Sequence, residues 1–335
     1  MHIPDHYLSP STCAVLGVAM MPVWIKSVNK VKQEIPKEKL PLLGVGTAFS
    51  FLIMMFNVPL PGGTTGHGVG AVLLAIILGP YSACACVSAA LLIQALLFGD
   101  GGILAFGANC FNMAFIMPFS GYYIYNFINN RWKNKKAQYA GIALGSYIGL
   151  NLAALCAAVQ FGIQPSLFTN MANQPLYCPY PLSVSIPAMM MPHLAVAGLL
   201  EAVITMATIS FAKKVSPDLF CSSRKIKLNP AYKLIACLIC LSPVGLLAPG
   251  TAWGEWGLDE IKNVVSNGHI LGYIPEGMQQ GFIFETMIPD YSVNGFPDAA
   301  AYIFSAAIGT LIAIAFFKII EAIAKNYYAT KVGEW

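Results

Sequence analysis

Met1-His2 opens the chain with a compact set of nitrogen donors. A free terminal amine, the His2 amide nitrogen once deprotonated, and the imidazole Nδ1 close a five-membered ring fused to a six-membered one. One place in the plane is left. His67 can fill it from Pro61-Gly62-Gly63-Thr64-Thr65-Gly66-His67-Gly68, where glycines let backbone approach whatever the imidazole touches. Four nitrogens in a plane suit Ni(II) or Cu(II) and, with adjustment, Co(II). The alternatives are a chance histidine behind the start residue and, at His67, a helix-capping or interfacial imidazole. Removal of an initiator methionine needs a small second residue, so the chain is expected to keep Met1 and its amine.

Other polar residues extend the set. His2, His6, His67, His193 and His269 all fall on one predicted side of a membrane or at helix ends facing it, and none lies in a basic loop. Glu201 follows His193 by eight residues on the same predicted helix, which sets its carboxyl roughly 12 Å deeper. One ion is not expected to bridge both, but an acid inside an apolar span is a functional candidate. Asn109 and Asn112, at i,i+3 in another span, need partners. They can orient His67 or the inserted terminus as outer support for the ligands, or simply join helices. Cys237 and Cys240 share a helix face without the second pair that a soft-metal site needs. The methionines read as core fillers or lipid-facing residues.

The elements that must position these groups are membrane helices. The chain has 335 residues, 57% hydrophobic and only 10% charged, which marks an all-α polytopic transmembrane bundle. Nine apolar segments follow one another: 12–28, 40–58, 67–79, 80–98, 103–128, 137–161, 186–211, 231–247 and 299–324. Lys and Arg test that count, because they stay cytoplasmic. With nine crossings and an extracytoplasmic amino terminus, every basic cluster lies inside, and of 19 basic residues only Lys262 is external. Joining the third and fourth segments would put later clusters outside, so a break is expected at Gly79-Pro80. No Lys or Arg precedes the first apolar stretch, which argues against a cleaved signal peptide.

The polar stretch from Ser216 to Asn229 is the predicted linker. It divides a seven-span core, residues 1–228, from a two-span module, residues 229–335. The outer segment of that module, about 248–298, holds Glu255, Asp259, Glu260, Glu276, Glu285, Asp290 and Asp298. Such a loop can concentrate a divalent cation, or it can merely be soluble and obey charge asymmetry. The net charge of +4 reflects topogenic loops, and no nucleic-acid partner is implied. The chain contains no G-x-x-x-x-G-K-[ST], H-E-x-x-H or G-x-S-x-G, so ATP binding by this chain and hydrolytic catalysis are not expected.

Taken together, Met1-His2-Ile3-Pro4-Asp5, the loop Gly62 to His67, Leu96 to Gly102, Asn109 to Ala114 and His193 to Ala202 resemble the CbiM/NikM substrate-specific components of energy-coupling factor (ECF) transporters. The resemblance covers about Met1 to Lys214. Beyond Ala231, Trp256-Gly257-Leu258-Asp259-Glu260 and Ile288-Pro289-Asp290-Tyr291 resemble the small two-span NikN/CbiN partner, fused in line. The resemblance implies import of nickel or cobalt and a terminus folded into the bundle from outside. It implies the Met1 nitrogen, the His2 amide and imidazole, and the His67 imidazole as ligands. It also implies two ATPase subunits and a transmembrane coupling (T) protein as partners. His6 departs from the family pattern, which carries glycine after the acid. Gly44 and Ala48 offer a small-residue face for docking the coupling protein.

The expectation is therefore a multi-pass cell-membrane subunit, not itself an enzyme, that takes Ni2+ or Co2+ as transported substrate. Met1, His2 and His67 would hold the ion, with His6, Asn109, Asn112, His193 and Glu201 as supporting or pathway residues. Two rivals stay open: a self-contained proton-coupled divalent metal permease using His193 and Glu201, and a membrane metalloenzyme. The donors do not choose between nickel and cobalt.

Overall fold

The computed structural model describes residues 1–36, 39–220, 228–248, 250–266, 269–282 and 284–332. Lys37 and half of the predicted linker, including Arg224, Lys225 and Lys227, lie outside the described residues. Helix α1 (Pro10–Glu34) starts at Ser9, whose hydroxyl accepts from the Thr12 amide, with Pro10 in the first turn. It exposes Val15, Val18, Met21 and Ile25, as a lipid-facing helix must. Helix α2 (Leu40–Met55) is the opposite case, buried along nearly its whole length at the centre of the bundle.

A short hairpin follows, β1 (Val58–Leu60) against β2 (Thr64–Gly66), with Pro59 opposite Thr65. Gly62 and Gly63 make its turn at φ +92° and +75°, which only glycine adopts without strain. Then come α3 (Ala71–Leu78) and α4 (Pro80–Ile93). Helix α5 (Phe106–Asn109) runs into α6 (Met117–Trp132), and α7 (Lys135–Gly162) and α8 (Gln164–Leu167) follow. Helix α9 (Leu182–Pro192) continues into α10 (Gly198–Val215). The module consists of α11 (Asn229–Leu241), an outer segment with α12 (Leu258–Ile261), the pair β3 (Val265–Ser266) and β4 (His269–Ile270), and α13 (Glu276–Gln279), and finally α14 (Asp298–Val332). Wide π turns occupy Gln94–Phe98, Cys110–Ile116 and His193–Ala197.

Six helices among the described residues are long and apolar enough to cross a membrane, and α2 is apolar but shorter. The chain is an all-α, multi-pass membrane protein. The third expected span departs from a simple helix: α3 has 8 residues, about 12 Å at the helical rise, so Thr64 to Gly70 enters the bundle as hairpin and loop. Gly79, at φ +85°, breaks the chain before Pro80 opens α4, as the charge pattern required. His193 also differs from expectation. It sits within a continuous run from Leu182 to Val215 rather than at a helix start.

The expected docking face at Gly44 and Ala48 is already covered. A Cβ on Gly44 would stand 3.1 Å from the Ile314 Cα of α14, and Gly309 meets the Phe51 ring in the same seam. Small residues there let α2 and α14 pack closely, and the module's last helix occupies the place first read as a partner's.

Candidate metal centre

The amino terminus is folded into the bundle, with Met1 4%, His2 2% and Ile3 0% exposed. Backbone groups that leave water need partners, and the tail finds them residue by residue. The Ile3 N–H donates to Asn109 Oδ1 at 2.8 Å, and Asn109 Nδ2 donates back to the Ile3 carbonyl at 3.0 Å. The Gly102 amide also donates to that carbonyl at 2.9 Å. The Asp5 carboxylate accepts from the Ile103 and Leu104 amides at 3.1 and 2.9 Å. Tyr7 donates its hydroxyl to the Trp256 carbonyl, and the Ser9 amide donates to Gln164 Oε1. Glycine at position 102 is required sterically, because a Cβ would strike the Asp5 backbone and carboxylate.

This tail delivers His2 to His67. His67 Nδ1 lies 2.9 Å from the Gly68 carbonyl; as a donor to that oxygen it leaves the Nε2 lone pair free, the tautomer following from the bond. That Nε2 stands 3.2 Å from His2 Nδ1, which is also 3.0 Å from Asp100 Oδ1. The ring centroids are 4.9 Å apart. His2 Nδ1 thus carries one proton between two acceptors. His2 Nε2 is buried with no hydrogen-bond partner. The Met1 ammonium lies 3.1 Å from Glu255 Oε1.

Electrostatics follow from the burial. His67 is held well below the ordinary histidine range, first by burial and then by the charges of the terminal ammonium and His2. Burial would raise the Asp100 carboxyl, but the charge and hydrogen bond of His2, with His67 and the Tyr291 hydroxyl, hold it below the usual carboxylate range. The centre is a pair of imidazoles and an amine facing two carboxylates. No cluster of three or more His, Cys, Asp or Glu side chains able to hold a metal occurs among the described residues.

The supporting candidates separate. Asn109 fastens the tail. Asn112 does not reach the site: it exchanges bonds of 2.9 and 2.8 Å with Gln160, joining the Cys110–Ile116 turn to α7. Glu201 is fully buried and receives the Val69 amide at 2.8 Å and the Gly70 amide at 3.0 Å. It supports the loop behind His67 and the start of α3, where backbone at membrane depth lacks helical partners. His193 bonds the Met189 carbonyl through Nδ1 and lines a small cavity with Met1, Thr64 and Thr65. His6, at φ +77°, lines a separate outer cleft with Leu104, Tyr177 and Gln280.

Asp100 and Glu255 complete the site without having been singled out in the sequence. A signal existed for Asp100, the only acid between Glu38 and Glu201. Glu255 was one of seven acids in a loop, with nothing local to distinguish it. The outer segment of the module therefore meets the core at the terminus. Besides Glu255, it brings Trp253, whose amide donates to Thr64 Oγ1 at 2.8 Å, and packs Trp253 and Trp256 around Tyr180.

Residues 2–219 match the family model CbiM, described as the cobalt uptake substrate-specific transmembrane region, and residues 230–326 match the PDGLE domain. The chain belongs to the CbiM family. It is 49% identical over 315 residues to a protein of Lactiplantibacillus plantarum named as a probable fused nickel transport protein LarMN, covering 93% of this chain and 95% of that one. It is 42% identical to the fused nickel transport protein NikMN of Rhodobacter capsulatus, covering 94% and 95% respectively. A crystal structure of a truncated transition metal transporter superimposes with a TM-score of 0.61 at 53% identity, covering 64% of this chain and 99% of that one. This CbiM-family chain is thus a nickel or cobalt transport membrane protein and not an enzyme.

Proposed function

We propose that this chain is the substrate-binding subunit of an ATP-driven energy-coupling factor importer. It captures Ni(II) or Co(II) with the Met1 amine, the His2 amide and imidazole, and the His67 imidazole. The observation that carries this reading is the 3.2 Å approach of His67 Nε2 to His2 Nδ1 at the end of a tail anchored over its first nine residues. A divalent ion in place of the shared proton would take both nitrogens, and the fused rings of the terminus would supply the remaining donors. Asp100 and Glu255 would then balance the ion's charge. ATPase subunits and a coupling protein supply the energy in this reading, since the chain carries no phosphate-binding loop. Release inward follows when the bundle is reoriented and the ligands regain protons.

Extending the chain by one residue ahead of Met1 tests the reading. The added peptide bond turns the Met1 nitrogen into an amide and moves the basic amine one residue away from His2, so the Ni(II) and Co(II) binding that depends on His67 is expected to be lost while helicity and thermal stability of the metal-free protein persist. Native affinity in that variant that is still lost on His67→Ala would show that the Met1 amine is not a ligand.

A further inference from the structure

Tyr291 lies in the C-terminal module, yet its hydroxyl reaches the carboxylate that holds His2. We propose that Tyr291 is a positioning residue for metal capture: it orients Asp100, and Asp100 fixes the His2 ring with Nδ1 toward His67. The inference rests on the metal-binding reading above and assigns to one residue of the fused module a part in building the site.

Asp100 stands in a loop with little rigidity of its own, between Gly99 and Gly101 at φ +73° and +84°. Its side chain is fixed from outside. His2 Nδ1 approaches Oδ1 at 3.0 Å, while Oδ2 accepts from the Tyr291 hydroxyl at 2.6 Å and from Gln94 Nε2 at 3.0 Å. Gln94 Nε2 also donates to the Tyr291 oxygen at 3.0 Å, so the three groups form one closed set. A hydrogen bond to a carboxylate is among the strongest that a neutral hydroxyl makes, and ligating imidazoles depend on such outer partners for their orientation.

Tyr291 is itself locked. Its ring stacks on Phe98 at 4.7 Å and meets Tyr302 edge-on at 5.4 Å. Ser305 Oγ donates to its carbonyl at 3.0 Å, and the Ile288 amide donates to the Leu97 carbonyl at 2.9 Å. Asp290 and Tyr291 both take the left-handed backbone, at φ +52° and +59°, a conformation that costs energy for non-glycine residues. Apolar packing alone would need neither that backbone nor a hydroxyl. The surrounding contacts hold the strained pair so that a phenol from the module points at a carboxylate of the core.

The test uses the full chain, purified in detergent and titrated with Ni(II), with the visible absorption of the bound ion recorded. Tyr291→Phe keeps the ring and removes the bond to Asp100; it is expected to weaken Ni(II) binding about tenfold or more and to alter the absorption bands. Tyr302→Phe, which loses a hydroxyl bonded only to the Met55 carbonyl at 2.9 Å, should change neither. Asp100→Asn should weaken binding, and adding Tyr291→Phe to it should cost nothing further, as for two residues acting in series. Equal losses in Tyr291→Phe and Tyr302→Phe, or additive losses in the double variant, would overturn the assignment. If Tyr291→Phe binds like the unaltered chain while His67→Ala has lost the ion, this inference fails and the metal-binding reading stands. If His67→Ala also binds normally, both fail.

Discussion

One proton on His2 Nδ1 lies within reach of Asp100 Oδ1 at 3.0 Å and His67 Nε2 at 3.2 Å, and metal capture in the proposed reading is the exchange of that proton for a divalent ion. Acid therefore competes directly with the substrate. His67 adds a second dependence. Its pKa is lowered, so below the ordinary value of 6.5 the folded chain binds fewer protons than the unfolded one. Stability of the metal-free protein is thus full above that value and is lost as pH falls through it. Melting curves should show a Tm that is flat above about pH 7 and declines toward about pH 5, and His67→Ala should reduce the decline. Ni(II) affinity should fall over the same window; an affinity unchanged from neutral pH to about pH 5 would contradict the exchange. In the proposed reading, the donors Met1, His2 and His67 are legible in the sequence because their chemistry is local. Asp100 and Glu255 act through distant partners; Asp100 is marked only by standing alone in a long stretch without acids, and Glu255 by nothing local.

At the scale of elements, the inserted tail and the loop before α3 are stretches of non-helical backbone inside a helical bundle, and each is satisfied by a carboxylate. Asp5 pins the tail to the amides of Ile103 and Leu104; Glu201 pins Val69 and Gly70. Gly102→Ala would push Asp5 away, and the expected outcome is a loss of Ni(II) affinity of about tenfold or more, as for other outer supports of a ligand, with helicity unchanged by circular dichroism. Glu201→Ala strands two buried amides. It should lower stability by about 2–3 kcal/mol, the scale of leaving buried donors unsatisfied, seen as a lower denaturation midpoint. Sequence reading singled out Glu201 and Asn109 as buried polar groups in apolar spans, but it could not tell a pathway acid from a support for a loop. Both roles place one carboxyl inside an apolar helix, and only the two amides facing it distinguish them. Asn112 shows the same limit, since its partner Gln160 lies on a separate helix.

For the molecule as a whole, the fused module is part of the fold. Helix α14 packs along α2 through Gly44 and Gly309, and the outer segment sets Glu255 and Tyr291 at the terminus. Transport itself is expected to require ATP-driven partners. In liposomes without ATP, the chain alone should bind Ni(II) but not accumulate it; accumulation driven by a proton gradient would instead favour a self-contained permease in which His193 and Glu201 titrate. Uptake of radioactive nickel into such vesicles decides between the two.

The sequence alone determined the membrane class and the break at Gly79-Pro80, because hydropathy and the placement of Lys and Arg are summed along the chain. It also determined that a histidine at position 2 and one glycine-flanked histidine at position 67 are present. Only the tertiary structure decided that these two meet, that the third span is part hairpin and part helix, that Asn112 bonds Gln160 while Glu201 bonds the Val69 and Gly70 amides, and that acids from two halves of the chain face neighbouring nitrogens of the terminus, Asp100 the His2 imidazole and Glu255 the Met1 amine. Those outcomes depend on contacts between residues as much as 254 positions apart, and such contacts leave no periodicity in the sequence from which they could be read.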